Sequence, residues 1–202
     1  MCRIKSLTLS TSVFLLSACG GGGGGNGTPP ATHSTGVFED SPVAGLHYET
    51  PTFSGTTNAL GEYDYLPGET VTFSIGGIDL GSAQAGPVVT PLTLVDGATD
   101  PTDPVVTNIV RLLMTLDDDG DASNGIVISA ATATAAIGQT VDFTAADLAA
   151  DPGMSVLLPL LPGTPALVDA AAAQAHFVAT LAAESNWGAL AWGAGTWQSK
   201  TP

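Results

Sequence analysis

Cysteine and basic residues are the scarcest components of this 202-residue chain. Its two cysteines, Cys2 and Cys19, lie in the first nineteen residues, so no disulfide bond is available to the remainder. Lys and Arg number four against nineteen Asp and Glu, which gives a formal net charge of −15. A surface this acidic repels phosphate backbones and anionic headgroups. It therefore argues against nucleic acid as a partner and favours divalent cations.

The sequence also lacks the short motifs that mark common catalytic sites. It contains no G-x-S-x-G, H-E-x-x-H or C-x-x-C, and no glycine-rich loop stands between a predicted strand and a predicted helix. The three histidines, His33, His47 and His176, have no spacing typical of a metal site. These absences predict a protein that is not an enzyme.

The first eighteen residues are predicted to be an export signal. Arg3 and Lys5 form a short positive segment, and a mostly apolar stretch follows from Leu7 to Leu16. That stretch is too short to span a bilayer as a helix. Removal of the whole export signal would leave Arg111 and Lys200 as the basic residues of the mature chain.

Residues 16–19, Leu-Ser-Ala-Cys, resemble the lipobox of bacterial lipoproteins, in which the chain is cut before the cysteine and that cysteine is acylated. The resemblance implies lipidation of Cys19 and, because residue 20 is Gly rather than Asp, sorting to the outer membrane. Residues 19–35 then form a tether rich in Gly and Pro. The alternative is an ordinary secretory signal cut after Ala18. We expect a lipid-anchored envelope protein on the periplasmic face or the cell surface.

Residues 36–96 have the pattern of short strands and tight turns. Runs rich in Val, Tyr, Phe and Thr alternate with the turn segments NALG, LPGE and GG. In EYDYLPGETVTFSI, apolar residues take alternate positions, which predicts one buried and one solvated face. They are Tyr63, Tyr65, Val71, Phe73 and Ile75. The expected product is a small antiparallel β-sandwich or curled sheet.

The phrase from Ser41 to Gly81 resembles the regulatory-like β-sandwich modules found beside carboxypeptidases and in many bacterial surface proteins. It opens with PVAG and continues through GTTNALGEYDYLPG into a strand. The longer arrangement, in which IGGIDLG and VTPLTLV precede a helix ending in LDDDGDASNGI, is similar to a module of lipoproteins and exported proteins of Gram-negative bacteria. The resemblance implies a structural or adhesive role.

Residues 97–185 are predicted to be largely helical. Asp103 and Pro104 suit the cap and first position of a helix whose apolar residues recur at helical spacing as far as Leu116. A short strand is predicted at IGQTVDF, from residue 137 to 143. The fold class is therefore α+β, a small antiparallel β-sandwich or curled sheet followed by a helical segment.

Thr164 and Pro165 are predicted to begin a last, alanine-rich helix that continues to Ser185. The tail, residues 186–202, carries three tryptophans at intervals of five: Trp187, Trp192 and Trp197. Exposed rings in this tail would stack on sugars, whereas buried rings would anchor it to the core.

The segment TLDDDGDASNGIVI, residues 115–128, places four carboxylates in five positions. The preceding helix directs its negative dipole end at them, which is unfavourable for anions, and Arg111 is the one basic residue nearby in sequence. A hard divalent cation with oxygen ligands would relieve the repulsion, so we expect calcium. The predicted ligands are Asp117, Asp119, Asp121, Ser123 and Asn124.

This segment resembles the opening of an EF-hand loop, because three of its aspartates stand at alternate positions from Asp117 to Asp121. The sixth position is Ala122 rather than Gly, and the twelfth is Ile128 rather than Glu, so the bidentate ligand is missing. IVIS also predicts a strand where an EF-hand has its second helix. A calcium site here needs ligands from elsewhere or from water. The alternative is a solvated Asp-rich turn that caps the helix.

Two functions are compatible with these patterns. The first is a non-enzymatic, envelope-anchored lipoprotein that binds calcium and has a structural or adhesive role toward another envelope protein or a polysaccharide. The alternative is an accessory or degenerate domain of a secreted hydrolase acting on lipid or polysaccharide. A deep pocket lined by converging carboxylates, or one that brings His47 or His176 together with a Ser or an Asp, would favour the alternative.

Overall fold

A computed structural model describes residues 33–192, with side chains described as far as residue 183. The strands are β1 Ser34–Phe38, β2 Val43–Ala44, β3 His47–Glu49, β4 Ser54–Thr56, β5 Glu62–Tyr65, β6 Thr70–Ile75, β7 Ile78–Gln84, β8 Val88–Val89 and β9 Ile126–Val127. The helices are α1 Pro91–Leu94, α2 Pro104–Thr115, α3 Ala130–Ala135, α4 Pro152–Leu157 and α5 Ala170–Trp192, with short 3-10 helices at Ala122–Asn124, Leu148–Ala150 and Leu158–Leu160. Eight of the nine described strands precede the first helix, and β9 lies between α2 and α3, so the predicted α+β class is confirmed.

Most strands pair in two sheets that pack against each other. One sheet has the order β4-β3-β6-β7 and is antiparallel throughout. The other has the order β5-β1-β8, with β1 antiparallel to β5 and parallel to β8. Aromatic rings from the two sheets meet between them: Phe38 lies 4.7 Å from Phe73, and Tyr63 lies 5.2 Å from Phe73, centroid to centroid. The apolar residues of the predicted alternation in β5 and β6 therefore form the inner face between the two sheets.

Strands and helices share one hydrophobic core. The buried residues Leu112 and Leu113 of α2, together with Leu148, belong to the same cluster as Phe38 and Phe73 of the sheets. Asp103 caps α2 as predicted, because its carboxylate accepts from the backbone N–H groups of Val105 at 2.8 Å and Val106 at 3.3 Å. The helical segment therefore shares the core of the sheets in part, while α2 and α5 also pack against each other in a second, smaller cluster that includes Val106 and Phe177.

A short parallel pair, β2 with β9, also joins the two segments. Val43 is opposite Ile126, and Ala44 is opposite Val127. The predicted strand at IVIS is thus present, and it pairs with the strand that follows the turn after β1. This pairing places the acidic segment beside the β1–β2 turn.

The prediction of a strand at IGQTVDF is wrong. Residues 137–138 and 143 lie in turns and residues 139–142 have no regular secondary structure. The backbone carbonyls of Phe143 and Ala145 accept from the Asn108 side-chain amide of α2, at 2.9 and 3.0 Å. A buried side chain therefore provides the hydrogen bonds that a neighbouring strand would otherwise supply.

The predicted start of the last helix is also wrong. Thr164 has a φ of 47°, whereas a helix cap needs extended backbone. The helix begins at Ala170, and the Asp169 carboxylate accepts from the backbone N–H of Ala172 at 2.9 Å. Within the part of the chain that the structure describes, no helix is long and apolar enough to cross a membrane.

Candidate functional site

The acidic segment is closed at its base by backbone pairing. Asp117 forms an antiparallel bridge with Ile128, and the Asp118 N–H donates to the Val127 carbonyl at 3.0 Å. The Ile126 N–H donates to the Pro42 carbonyl at 3.1 Å, which fixes the far side of the loop to the β1–β2 turn. A rigid frame therefore holds the carboxylates that the sequence concentrates here.

Asp117 is the most constrained of these carboxylates, with 9% of its surface exposed. Its Oδ1 accepts from the Val127 N–H at 2.9 Å, while its Oδ2 is buried and has no hydrogen-bond partner among the described residues. Burial raises the pKa of Asp117, and the neighbouring Asp119 carboxylate raises it further. A buried carboxylate oxygen without a donor is unfavourable unless a proton or a cation reaches it.

Asp119 faces Asp117 from the exposed side of the loop. Its Oδ2 accepts from the Asn124 amide at 3.0 Å, and its Oδ1 accepts from the Asp121 N–H at 2.9 Å. These hydrogen bonds lower the pKa of Asp119. Asp117 and Asp119 therefore form an interacting pair in which the buried member favours the proton and the exposed member favours the charge.

The remaining predicted ligands are only partly brought to this pair. Asn124 reaches it through its bond to Asp119. Asp121 instead caps the 3-10 helix that follows it, because its Oδ1 accepts from both the backbone N–H and the hydroxyl of Ser123, at 3.1 and 2.5 Å. The structure thus gathers Asp117, Asp119 and Asn124, and it joins Asp121 to Ser123 separately.

A cavity of about 340 Å³ opens beside the pair. Asp117, Asp118 and Asp119 form one wall, and Leu161 and Pro162 lie in the lining with them. Among the described residues, no three His, Cys, Asp or Glu side chains are grouped closely enough to hold a metal ion by themselves. A cation here would therefore need carbonyl or water oxygens as well.

Arg111, the nearby cation in sequence, points away from the carboxylates of the loop. Its Nε donates to the Val168 carbonyl at 2.8 Å, and its Nη1 lies 3.4 Å from Asn108 Oδ1 and 3.9 Å from Asp147. Its side chain joins α2 to the segment before α5. It does not neutralise the acidic loop.

A second polar group, Asp40 with His176, was not predicted from the sequence. Asp40 lies in the β1–β2 turn and has no exposed surface. Nε2 of His176, on α5, lies 3.3 Å from Asp40 Oδ1 and 3.3 Å from the Asp40 carbonyl oxygen. Burial raises the pKa of Asp40, and the Asp40 carboxylate raises the pKa of His176. In sequence, E-D-S-P is indistinguishable from an ordinary solvated turn, so no local signal marks this pair.

A cavity of about 280 Å³ beside this pair is lined by His176 together with Ser41 and Ser123. Ser41 adopts a left-handed φ of 56°, which is uncommon for a residue other than glycine. The other histidines are elsewhere: His47 is exposed on β3, and His33 is exposed and lies 2.8 Å from Asp64. Of the three histidines, His176 is thus the one that meets both an Asp and a cavity lined by Ser.

Several predicted features lie outside the described side chains. They are the lipidation site Cys19, the tether as far as residue 32, and the three tryptophans of the tail, of which Trp187 and Trp192 fall within the backbone of α5. Comparison with family models, with curated proteins and with solved structures finds no match to this chain.

Proposed function

We propose that this protein is a non-enzymatic, envelope-anchored lipoprotein that binds calcium in the loop after α2. Its role would be structural or adhesive, toward another envelope protein or a polysaccharide. The observation that supports calcium is the buried Oδ2 of Asp117, which has no donor among the described residues and faces a second carboxylate. The lipobox resemblance at Cys19 supports the location.

Calcium would neutralise both carboxylates of this pair, whereas a single proton neutralises one. It takes six to eight oxygens in flexible geometry, so it can bind Asp117 Oδ2, Asp119, a backbone carbonyl and several waters at once. The geometry favours Asp117 and Asp119 over Asp121, whose carboxylate already binds Ser123. Asn124 would have to rotate its amide so that its oxygen, rather than its nitrogen, faces the ion.

The test is calcium titration of the EDTA-stripped protein by calorimetry, with thermal unfolding followed in the same samples. A ligand that binds the folded form alone stabilises it by mass action, so saturating calcium should raise Tm by several degrees. Asp119→Asn should abolish both the binding heat and the shift, whereas Asp121→Asn should retain most of each. Absence of heat in the wild-type protein would leave the loop a solvated helix cap.

The lipid anchor has a separate test that does not depend on calcium. The full chain, expressed in a Gram-negative host with labelled palmitate, should incorporate label and sediment with the outer membrane. Cys19→Ala should abolish both. Unlabelled protein released into the soluble periplasm would support the ordinary secretory signal instead.

One observation favours the alternative, a domain derived from a secreted hydrolase. Asp40 contacts His176, and His176 shares its cavity with Ser41. An imidazole oriented by a carboxylate can serve as general base to a hydroxyl nucleophile. Covalent labelling by a fluorophosphonate probe that disappears in Ser41→Ala, but persists in Ser123→Ala, would establish this function. An unlabelled, folded wild-type protein would exclude serine hydrolysis.

A further inference from the structure

The N-terminal half of α5 is held against the rest of the molecule at three kinds of contact. Ala173 and Phe177 are buried with Val106 and Val110 of α2. The Gln174 side-chain amide donates to the Thr107 hydroxyl at 3.1 Å. The third contact is polar and reaches the strands: His176 lies against Asp40, 136 positions earlier in the chain.

The Asp40 side of this contact has no substitute for His176. Its carboxylate has no exposed surface, and neither oxygen accepts a well-formed hydrogen bond from any described residue. A carboxylate removed from water in this way is strongly unfavourable as an unpaired charge. Nε2 of His176 lies 3.3 Å from Asp40 Oδ1, and 14% of the His176 side chain is exposed.

We propose that Asp40 and His176 form a proton-dependent latch that holds α5 on the β1–β2 turn. While the pair shares a proton, the buried carboxylate is either neutral or matched by an imidazolium. When that proton is lost, Asp40 is left as a buried anion that faces a neutral ring. The helix then loses its polar attachment to the strands, and local opening lets water reach the carboxylate.

The groups around the latch favour retention of the proton. Glu39 lines the same cavity from the turn, and Asp121 stands behind Ser123 on the neighbouring loop. On α2, which packs against α5, Arg111 directs its guanidinium at Val168 and Asp147. Glu39 is thus the one other charged side chain in the described lining of this cavity, it is acidic, and the group that raises the pKa of His176 is Asp40.

The direction of the pH response follows from proton linkage. The Asp40 carboxylate raises the pKa of His176 above its ordinary value of 6.5. The unfolded or open form therefore loses its proton first as the pH rises, while the closed form keeps it. Between 6.5 and the raised value, closure weakens as the pH rises, at most about tenfold per pH unit for one proton.

The latch also borders the proposed calcium loop, because Ser123 lies in the cavity with His176. The Pro42 carbonyl, two residues after Asp40, accepts from Ile126 at the end of that loop. The inference goes beyond calcium binding and does not depend on it. Experiments on the latch are therefore made with calcium chelated.

The test is hydrogen exchange of the full chain from pH 6 to pH 9, corrected for intrinsic exchange and read by mass spectrometry. Peptides from residues 170–183 should lose protection steeply above pH 6.5, while peptides from β6 should not. His176→Gln should make the protection of α5 low and independent of pH. His47→Gln, on an exposed strand position, is the matched control and should behave as the wild type does.

A second measurement keeps the proposal testable if Asp40 variants fail to fold. The His176 ring proton resonances of the wild-type protein should titrate above 6.5, and in Asp40→Asn that titration should move down. A His176 that titrates at or below its ordinary pKa would overturn the latch. So would an α5 whose wild-type protection has the same pH dependence as that of His176→Gln.

Discussion

At the scale of a single residue, we expect Asp117 to make the melting temperature of the protein depend on calcium. In the absence of calcium, Asp117→Asn removes a buried charge, keeps an oxygen for the Val127 N–H, and offers an amide donor to Asp119. Relief of one unpaired group is of order 1 kcal/mol, so the calcium-free variant should melt about 2–4 °C higher. With calcium, only the wild-type protein should gain stability.

The same residue gives a pH prediction. Because the pKa of Asp117 is raised in the folded state, the folded form holds the proton that the unfolded form releases. Without calcium, this contribution to stability is therefore present at low pH and is lost as the pH rises through the raised pKa. Urea unfolding at a series of pH values should show a shallower decline in Asp117→Asn. A calcium-free variant less stable than the wild type would contradict both predictions.

Thr57 holds together the loop that leads into β3. Its buried hydroxyl donates to the Val43 carbonyl at 2.7 Å and accepts from the Leu46 N–H at 3.0 Å. Thr57→Val keeps the shape but leaves both backbone groups without a partner, which should lower the free energy of unfolding by about 1–3 kcal/mol. Thr57→Ser retains the hydroxyl and should lose distinctly less. Equal losses in urea unfolding would show that packing, rather than hydrogen bonding, holds this loop.

At the scale of an element, α2 depends on its cap. Asp103→Ala removes the acceptor of two backbone N–H groups and should lower the free energy of unfolding by about 1 kcal/mol. Asp103→Ser should restore much of it. Asp100→Ala provides the matched control, because Asp100 binds the exposed Thr102 and lies outside the helix. Thermal unfolding of the wild-type protein and the three variants separates the effect of losing the cap from the effect of losing any acidic residue.

Elements with local signals could be predicted from the sequence, and those decided by distant contacts could not. Asp103 and Pro104 mark α2, and the alternation around Pro67 marks β5 and β6, because caps, turns and periodicity act within a few residues. The parallel pair of β2 with β9 joins two-residue strands that are far apart in the chain, and it has no such local signal. The segment 137–143 has strand-like composition, but the Asn108 side chain binds its end and none of the described strands pairs with it.

The candidate site shows the same division. The composition of the sequence shows where the acidic loop lies. It does not show which carboxylates of the loop are buried and which bind neighbouring side chains. Asp121 is placed by a short-range bond to Ser123, which competes with any role as a ligand, while Asp117 is buried by its bridge to Ile128. Asp40 and His176 meet because α5, packed on α2, brings His176 to the β1–β2 turn, so their pairing required the tertiary structure.

At the scale of the whole molecule, the shared core predicts that strands and helices unfold together. Helical ellipticity reports the C-terminal half, and ring proton resonances of the three tyrosines, all in strands, report the N-terminal half. Because Leu112, Leu148 and Phe73 lie in one cluster, both signals should change at one Tm. Two separate transitions would mean that the strand and helical segments are independent modules.

Gly45 tests whether the β2–β9 junction transmits stability between those halves. A Cβ at this position would lie 2.1 Å from the Ile128 carbonyl oxygen, and the backbone has a φ of 89°. Gly45→Ala should therefore lower both transitions together, by more than the roughly 1 kcal/mol typical of a left-handed alanine. Gly120→Ala is the matched control, because Gly120 also has a positive φ, of 72°, but a Cβ added there would have no described atom within 4 Å. If Gly45→Ala displaced the helical signal alone, the junction would hold the acidic loop in place without joining the two halves into one cooperative unit.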